Sequence, residues 1–301
     1  NQLICINRNC KYHNIGYHIK NNFPVIIPFS EEYCVLNKKN ILKAINSYDK
    51  TKKENINLKY IKYIFAGISI NTEKNYKYLA DYINRSHKVL IIGGGTRGAG
   101  SKTFFKKCTR NNYQIDSLDI YPSPNVNLIA DAHYLPFPNE SYDIIIIQAV
   151  LEHVINPYKV VSEIYRILKK EGLIYAETPF LQSVHMANND FTRFTHSGHR
   201  WLFRNFLEIK SGVTDGATYS LLFVFSSIIS GVFKNKLIGS SLRMILGRIS
   251  RIIDTFLPWE VNIKNGCGFY FLGKKSKLNE SKKSSNWIIE FYDKTISKKI
   301  D

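Results

Sequence analysis

KVLIIGGGTRGAG, residues 88–100, decides how this chain folds. Lys88 to Ile92 is a short apolar run of the kind that forms a buried parallel strand, and Gly93, Gly95 and Gly98 open the turn behind it. Glycine suits such a turn because, without Cβ, the backbone reaches otherwise strained φ values and lets a ligand approach its N–H groups. In SLDIY, residues 117–121, the isolated acid Asp119 ends the next strand. A carboxylate there can accept hydrogen bonds from both hydroxyls of a ribose, so the pair of motifs reads as a nucleotide site.

Working outward, the spacing predicts a helix over 98–110, strands at 115–120, 126–130 and 143–148, a helix over 157–170, and strands at 172–178 and 266–275. Near-continuous apolar strands alternating with helices imply a mostly parallel sheet covered on both faces. Ligands of such sheets sit at the carboxyl ends of the strands, where the glycine turn, Asp119, Asp131 and Gln148 all fall. Residues 40–84 read as a helical lead-in, ending in an apolar stripe of Tyr76, Leu79, Ala80 and Ile83 that packs near the site.

A chain of 301 residues with 44% hydrophobic content is long enough for one large α/β domain with additions. Five cysteines without regular pairing argue against a secreted disulfide scaffold, and the opening at Asn1 shows no signal-peptide pattern, so a cytoplasmic protein is expected. The formal charge of +18 favours anionic partners, although Lys is abundant throughout. Nucleic acid is disfavoured, because no aromatic-basic groove or target-base motif such as N-P-P-Y is present.

Residues 1–39 read as a small appendage. Its Cys5, Cys10, His13 and His18 make a loose C-x4-C-x2-H-x4-H that could hold zinc, or be incidental. Residues 217–233 carry no charge but are short for a membrane span. Over 236–257, Ile238, Leu242, Ile245, Leu246, Ile249, Ile252, Ile253 and Phe256 share one helical face among basic residues. Such a helix either lies in an anionic lipid surface at the inner membrane face or packs on the domain as a lid. Residues 214–258 are thus a helical insertion in a domain spanning 85–275, and 276–301 a basic tail.

The glycine turn alone fits a dehydrogenase fingerprint as well as the loop of enzymes that use S-adenosylmethionine (SAM). Asp131, ending the third strand in LIADAHYLPF, favours the second. Its carboxylate can accept from the exocyclic amine of adenine while the Ala132 N–H reaches a ring nitrogen, and Leu135 and Phe137 close the pocket. Two acids at successive strand ends would read one adenosine from its ribose and its base.

The stretch DAHYLPFPNESYDIIIIQAVLEHVINPYKVVSEIYRILKKEGLIYAETPF, 131–180, resembles the core of the class I SAM-dependent methyltransferases, of the type 11 kind. TPFLQSVHMANNDFTRFTHSGHRWLF, 178–203, is similar to a bacterial subgroup associated with surface-polysaccharide and glycoconjugate synthesis. The similarity runs over roughly residues 75–273, and the opening segment resembles a zinc-ribbon leader with incomplete cysteine pairs. It implies a Rossmann-like fold with a mostly parallel seven-stranded sheet and SAM as cofactor. It also implies Gly93, Gly95 and Gly98 around methionine and ribose, Asp119 with Ile120 on the ribose, Asp131 and Ala132 on adenine, and Gln148 on the methionine side. Two positions depart from the family pattern: Ile91 stands where many relatives carry an acid, and KKEG, 169–172, replaces KPGG.

A methyl on a sulfonium is already activated, so the protein needs mainly to align an acceptor and exclude water, and no metal is required. For a hydroxyl acceptor a general base helps. His185 is the expected base, with Asp190, Arg193, His196 and His199 as acceptor-binding candidates in the same loop, and His153 as a structural residue. The resulting expectation is O-methylation of a glycan, glycolipid or other small acceptor. The alternative is a SAM-fold binding module without transfer, in a membrane-associated complex.

Overall fold

The computed structural model describes residues 2–4, 16–34, 37–48, 68–95, 98, 100–276, 286–288 and 290. The strands are β1 (Gln2–Ile4), β2 (Gly16–Lys20), β3 (Phe23–Ile26), β4 (Val89–Ile92), β5 (Ile115–Asp119), β6 (Leu128–Ala130), β7 (Tyr142–Gln148), β8 (Leu168–Pro179), β9 (Leu207–Val213) and β10 (Gly268–Lys274). They lie in the order β1-β2-β3-β6-β5-β4-β7-β8-β10-β9. Neighbours from β3 to β8 run parallel, and β10 is antiparallel to both β8 and β9.

The sheet therefore has ten strands rather than the seven expected. The additional three come from the N-terminal segment: Val25 and Ile26 of β3 pair in parallel with Ile129 and Ala130, extending the sheet past β6. Phe23 and Val25 bury with Ile129 and with Ile41 and Ile45 of α1 (Lys38–Ser47), which joins the segment to the domain core. Of the four zinc candidates, Cys5, Cys10 and His13 lie outside the described residues, and His18 is exposed on β2.

The continuous run YDIIIIQ of β7 reflects burial on both faces. Ile145 and Ile147 pack with Leu90, Ile92 and Ile174 beneath Val160 and Ile164 of α4 (Pro157–Ile167). Ile144 and Ile146 face the other side, against Tyr76 and Leu79 of α2 (Ile70–Tyr82) and Phe104 of α3 (Lys102–Arg110). Helix α4 stops at Ile167, short of the expected 170, because Leu168 already pairs with Tyr142. Within β8, where the pairing with β7 is irregular, Glu171 takes the left-handed φ of +67° and donates its N–H to the Lys275 carbonyl at 2.7 Å. Strand β9 escaped the sequence reading because it is an edge strand, pairing only with β10, and so lacks an apolar run.

Between β9 and β10 the chain folds into α6 (Ala217–Val232), α7 (Lys236–Phe256) and α8 (Trp259–Asn265); α5 (His196–Leu202) precedes β9. Helices α6 and α7 form a hairpin. The Asp254 carboxylate of α7 accepts from the N–H groups of Gly216 and Thr218, at 2.9 and 2.8 Å, and so caps α6. What α7 buries is its small and polar side, Gly239, Gly247, Ser250 and Asp254, while its isoleucines point outward. A Cβ at Gly239 would lie 2.2 Å from the Ser226 carbonyl oxygen, so the close approach of the helices requires glycine there. No helix among the described residues is long and apolar enough to cross a membrane.

Ile145 is fully buried at the middle of the central strands. Ile145→Ala is expected to lower unfolding free energy by about 2–5 kcal/mol in chemical denaturation, the range for deleting a buried branched side chain.

Candidate active site

Strand β4 runs between β5 and β7, so the turn that follows it opens at the sheet's carboxyl edge. Gly93 takes φ +77°, and a Cβ there would stand 2.1 Å from Val150 Cγ2. The N–H groups of Gly93 and Gly94 both donate to the Leu118 carbonyl, at 2.9 and 3.0 Å. Gly95 N–H donates to Asp119 Oδ2 at 2.9 Å, and a Cβ on Gly95 would crowd that oxygen at 2.7 Å. The other carboxylate oxygen accepts from Tyr121 N–H at 3.1 Å. Burial raises the Asp119 pKa despite these backbone donors.

A cleft of about 430 Å³ brings together Gly93, Gly95, Asp119, Ile120, Asp131, Ala132 and Gln148. Asp131 is buried, and its Oδ1 accepts from His133 N–H at 2.9 Å and meets His133 Nδ1 at 2.7 Å. His133 Nε2 accepts from Asn156 N–H at 3.2 Å, which assigns the ring proton to Nδ1. One oxygen of Asp131 is thus committed to the protein.

A second cleft, of about 510 Å³, shares Gly93, Gln148 and Ala149 with the first and takes in Gly98, Glu152, Glu177, His185 and Arg251. Gln148 is fixed where the two meet. Its Oε1 accepts from Tyr76 and its Nε2 donates to Glu177 Oε2 at 2.7 Å. Glu177 in turn accepts from Thr72 Oγ1 at 2.6 Å and from Tyr175, with its pKa raised by burial. The sequence reading passed over Glu177, since nothing in AETPF separates a strand-end carboxylate from a solvated one.

The loop after β8 folds back onto a short 3₁₀ turn, Leu151–His153. Phe191 N–H donates to the Glu152 carbonyl at 2.7 Å, and His153 Nδ1 to the Asn189 carbonyl at 2.6 Å. Asp190 accepts from His185 N–H at 2.9 Å and pairs with the Arg193 fork, whose charge and hydrogen bonds hold its pKa down against partial burial. His185 reaches the second cleft, with its Nε2 4.0 Å from Glu152 Oε1. Glu152 itself is fully buried, finds no donor on any other residue, and is pushed by desolvation to a pKa of about 7. Sequence reasoning treated this acid as part of a motif and missed it as a site group.

His196 and His199 are not brought to either cleft. Both are buried in α5, His196 beside Ser211 Oγ at 3.1 Å and His199 against Phe194 and Phe203. Their spacing of three residues places them on the core side of the helix, a fact the sequence alone did not separate from loop exposure.

Residues 97–176 match the family model described as "Methyltransferase domain". The protein carries a SAM-dependent methyltransferase domain. No curated protein sequence matches the chain. Solved structures that resemble the methyltransferase include the [4+2]-cyclase SpnF, 14% identical over 68% of this chain and 81% of that one, with a TM-score of 0.44. A SAM-dependent methyltransferase from Archaeoglobus fulgidus is 16% identical over 74% of this chain and 100% of its own, with a TM-score of 0.43. Phosphoethanolamine N-methyltransferase 2 of Haemonchus contortus, in complex with SAM, is 14% identical over 72% and 56%, with a TM-score of 0.44.

Burial holds the pKa of His196 and of His199 down at about 3, against 6.5 when exposed. Both rings are neutral in the fold but take up a proton below pH 6.5 once unfolded, so the stability they permit is complete above that pH and is lost as pH falls toward 3. Unfolding free energy measured from pH 7 to pH 4 should fall by roughly 1 kcal/mol per unit for each ring, and His199→Leu should flatten that slope.

Proposed function

We propose that the methyltransferase transfers a methyl group to a hydroxyl of a glycan- or lipid-linked acceptor at an anionic membrane surface. SAM supplies a methyl already activated on a sulfonium, and the chain's own residues bind, align and exclude water. The close-packed turn at Gly93, Gly95 and Gly98 fits the methionine and ribose portions, where a Cβ at 95 or 98 would strike Asp119 or Gln148. Asp119, beside Ile120, takes the ribose hydroxyls. The uncommitted oxygen of Asp131, with the Ala132 N–H, takes adenine. Gln148, held by Tyr76 and Glu177, borders the methyl group, and the second cleft receives the acceptor. Deprotonation of the acceptor is assigned to the corner formed by His185, Glu152 and His153, with Asp190 and Arg193 orienting the loop.

The observation that carries the acceptor class is the outward face of the hairpin. Phe225, Ile228 and Val232 of α6 and Ile245, Ile249 and Phe256 of α7 are all exposed. Covering six such side chains is worth on the order of 10 kcal/mol. Asp254 is the sole acid between residues 217 and 256 and is used up in capping α6, so the exposed charge is that of Lys234, Lys236 and Arg248. A face that is apolar and rimmed by cations complements anionic lipid, whereas a second copy would bring like charges together. At the root of the hairpin Arg251 pairs with Asp215 at 2.7 Å, and both line the second cleft, which ties the apolar face to the acceptor.

Asp119→Ala should weaken SAM at least tenfold in isothermal titration, about 1.4 kcal/mol. The wild-type chain should sediment with phosphatidylglycerol vesicles and not with phosphatidylcholine vesicles, in a salt-sensitive way, and Ile245→Ser/Ile249→Ser should abolish this while keeping SAM affinity. Methyl label from SAM should enter a lipid-linked glycan fraction as an ether. A salt-insensitive dimer in place of vesicle binding, or label on an amine, would reject the reading.

A further inference from the structure

Glu152 and His185 of the second cleft and His153 of the first bring three ligating atoms together where the two clefts meet. His153 Nδ1 lies 2.6 Å from the Asn189 carbonyl, an atom that only accepts, so the ring proton sits on Nδ1 and the Nε2 lone pair is free. That Nε2 faces Glu152 Oε1 at 3.6 Å. His185 is arranged alike, its Nδ1 turned to Asp190 Oδ2 at 3.6 Å and its Nε2 toward the same Glu152 oxygen at 4.0 Å. The three ligating atoms lie within 4.8 Å of one another. Glu152 is fully buried and both its oxygens are without a donor from another residue, an arrangement that costs several kcal/mol unless a positive group completes it. The Arg193 guanidinium favours the Glu152 carboxylate by its charge, but its terminal nitrogens are engaged by Asp190 and it gives neither Glu152 oxygen a hydrogen bond.

We infer that Glu152, His153 and His185 form a binding site for a divalent first-row transition-metal cation. Atoms bound about 2.1 Å from a tetrahedral ion lie about 3.4 Å apart, so the present separations of 3.6 Å, 4.0 Å and at most 4.8 Å would close by about 1.4 Å or less through side-chain rotation. Two imidazoles and one carboxylate form the donor set of three-ligand catalytic zinc sites, which leave one position open. The Asn189 carbonyl behind His153 fixes that ring's tautomer, and the Asp190 carboxylate stands 3.6 Å behind the other ring, near where supporting groups sit around ligating histidines. Glu152 and His185 both line the second cleft, so an ion held between them would be open to it. Resting on the methyl-transfer reading, the ion would hold the acceptor hydroxyl and lower its pKa, in place of a free histidine base.

The test is titration of the metal-stripped full chain with Zn²⁺, repeated with Mn²⁺ and Mg²⁺. One Zn²⁺ should bind per chain at this site, with Glu152→Gln and His185→Ala each weakening it at least tenfold and Asp119→Ala leaving it unchanged. Co²⁺ bound there should show no thiolate charge-transfer band, which separates it from any ion on Cys5 and Cys10. SAM titration and thermal melting of Glu152→Gln should match the wild type, showing that the variant is folded and that the cofactor reading stands by itself. Zinc binding that survives Glu152→Gln and His185→Ala, or no zinc binding by a chain that binds SAM, would overturn the site.

Discussion

The site depends on one hydrogen-bonded knot at the carboxyl ends of β7 and β8. Gln148 and Glu177 stand on neighbouring strands, and their register places the two residues side by side. Tyr76 and Thr72 reach them from α2, and Tyr175 from within β8. A half-buried amide and carboxylate are costly unless their lone pairs are met, and the partners come from three separate elements. Docking of α2 and setting of the cleft floor are therefore a single event. With Gln148 fixed, Gly98 can be only glycine without displacing it, since a Cβ would lie 2.3 Å from Oε1.

What could be read from the sequence follows the range of the forces involved. The strands around the glycine turn and the residues Asp119, Ile120, Asp131 and Ala132 are legible because a strand, its turn and its terminal acid are local features. Glu152 and Glu177 were not legible, because their importance lies in the loss of water and the absence or presence of donors from distant segments. His196 and His199 show the converse. They share a loop-rich stretch with His185, yet one turn of helix carries them into the core. The three N-terminal strands were hidden as well, since short pairs such as Val25 with Ile129 gain stability only once β6 exists to receive them.

The hairpin was half legible. Periodicity located the apolar stripe of α7, but periodicity assigns no inside or outside. In the fold the choice is made by size: glycine and serine on α7 let it approach α6 closely enough for Asp254 to cap its partner, and the bulky residues are left outward. Small residues between helices with large apolar residues outside is the arrangement helices adopt in lipid, where close backbone approach replaces the hydrophobic drive.

These features are connected through the chain. Arg251 on α7 and Asp215 before α6 line the same cleft as Glu152 and His185 and pair with each other, so the root of the hairpin forms part of that cleft's wall. A substrate anchored in a bilayer needs its reactive group brought to a cleft at fixed height above the surface. On the proposed membrane-docked reading the capped, small-residue hairpin would supply that fixed height, because the Asp254 carboxylate ties α7 to the start of α6. The first cleft, on the other side of Gln148, is spared this constraint, because its lining takes no residue from the hairpin.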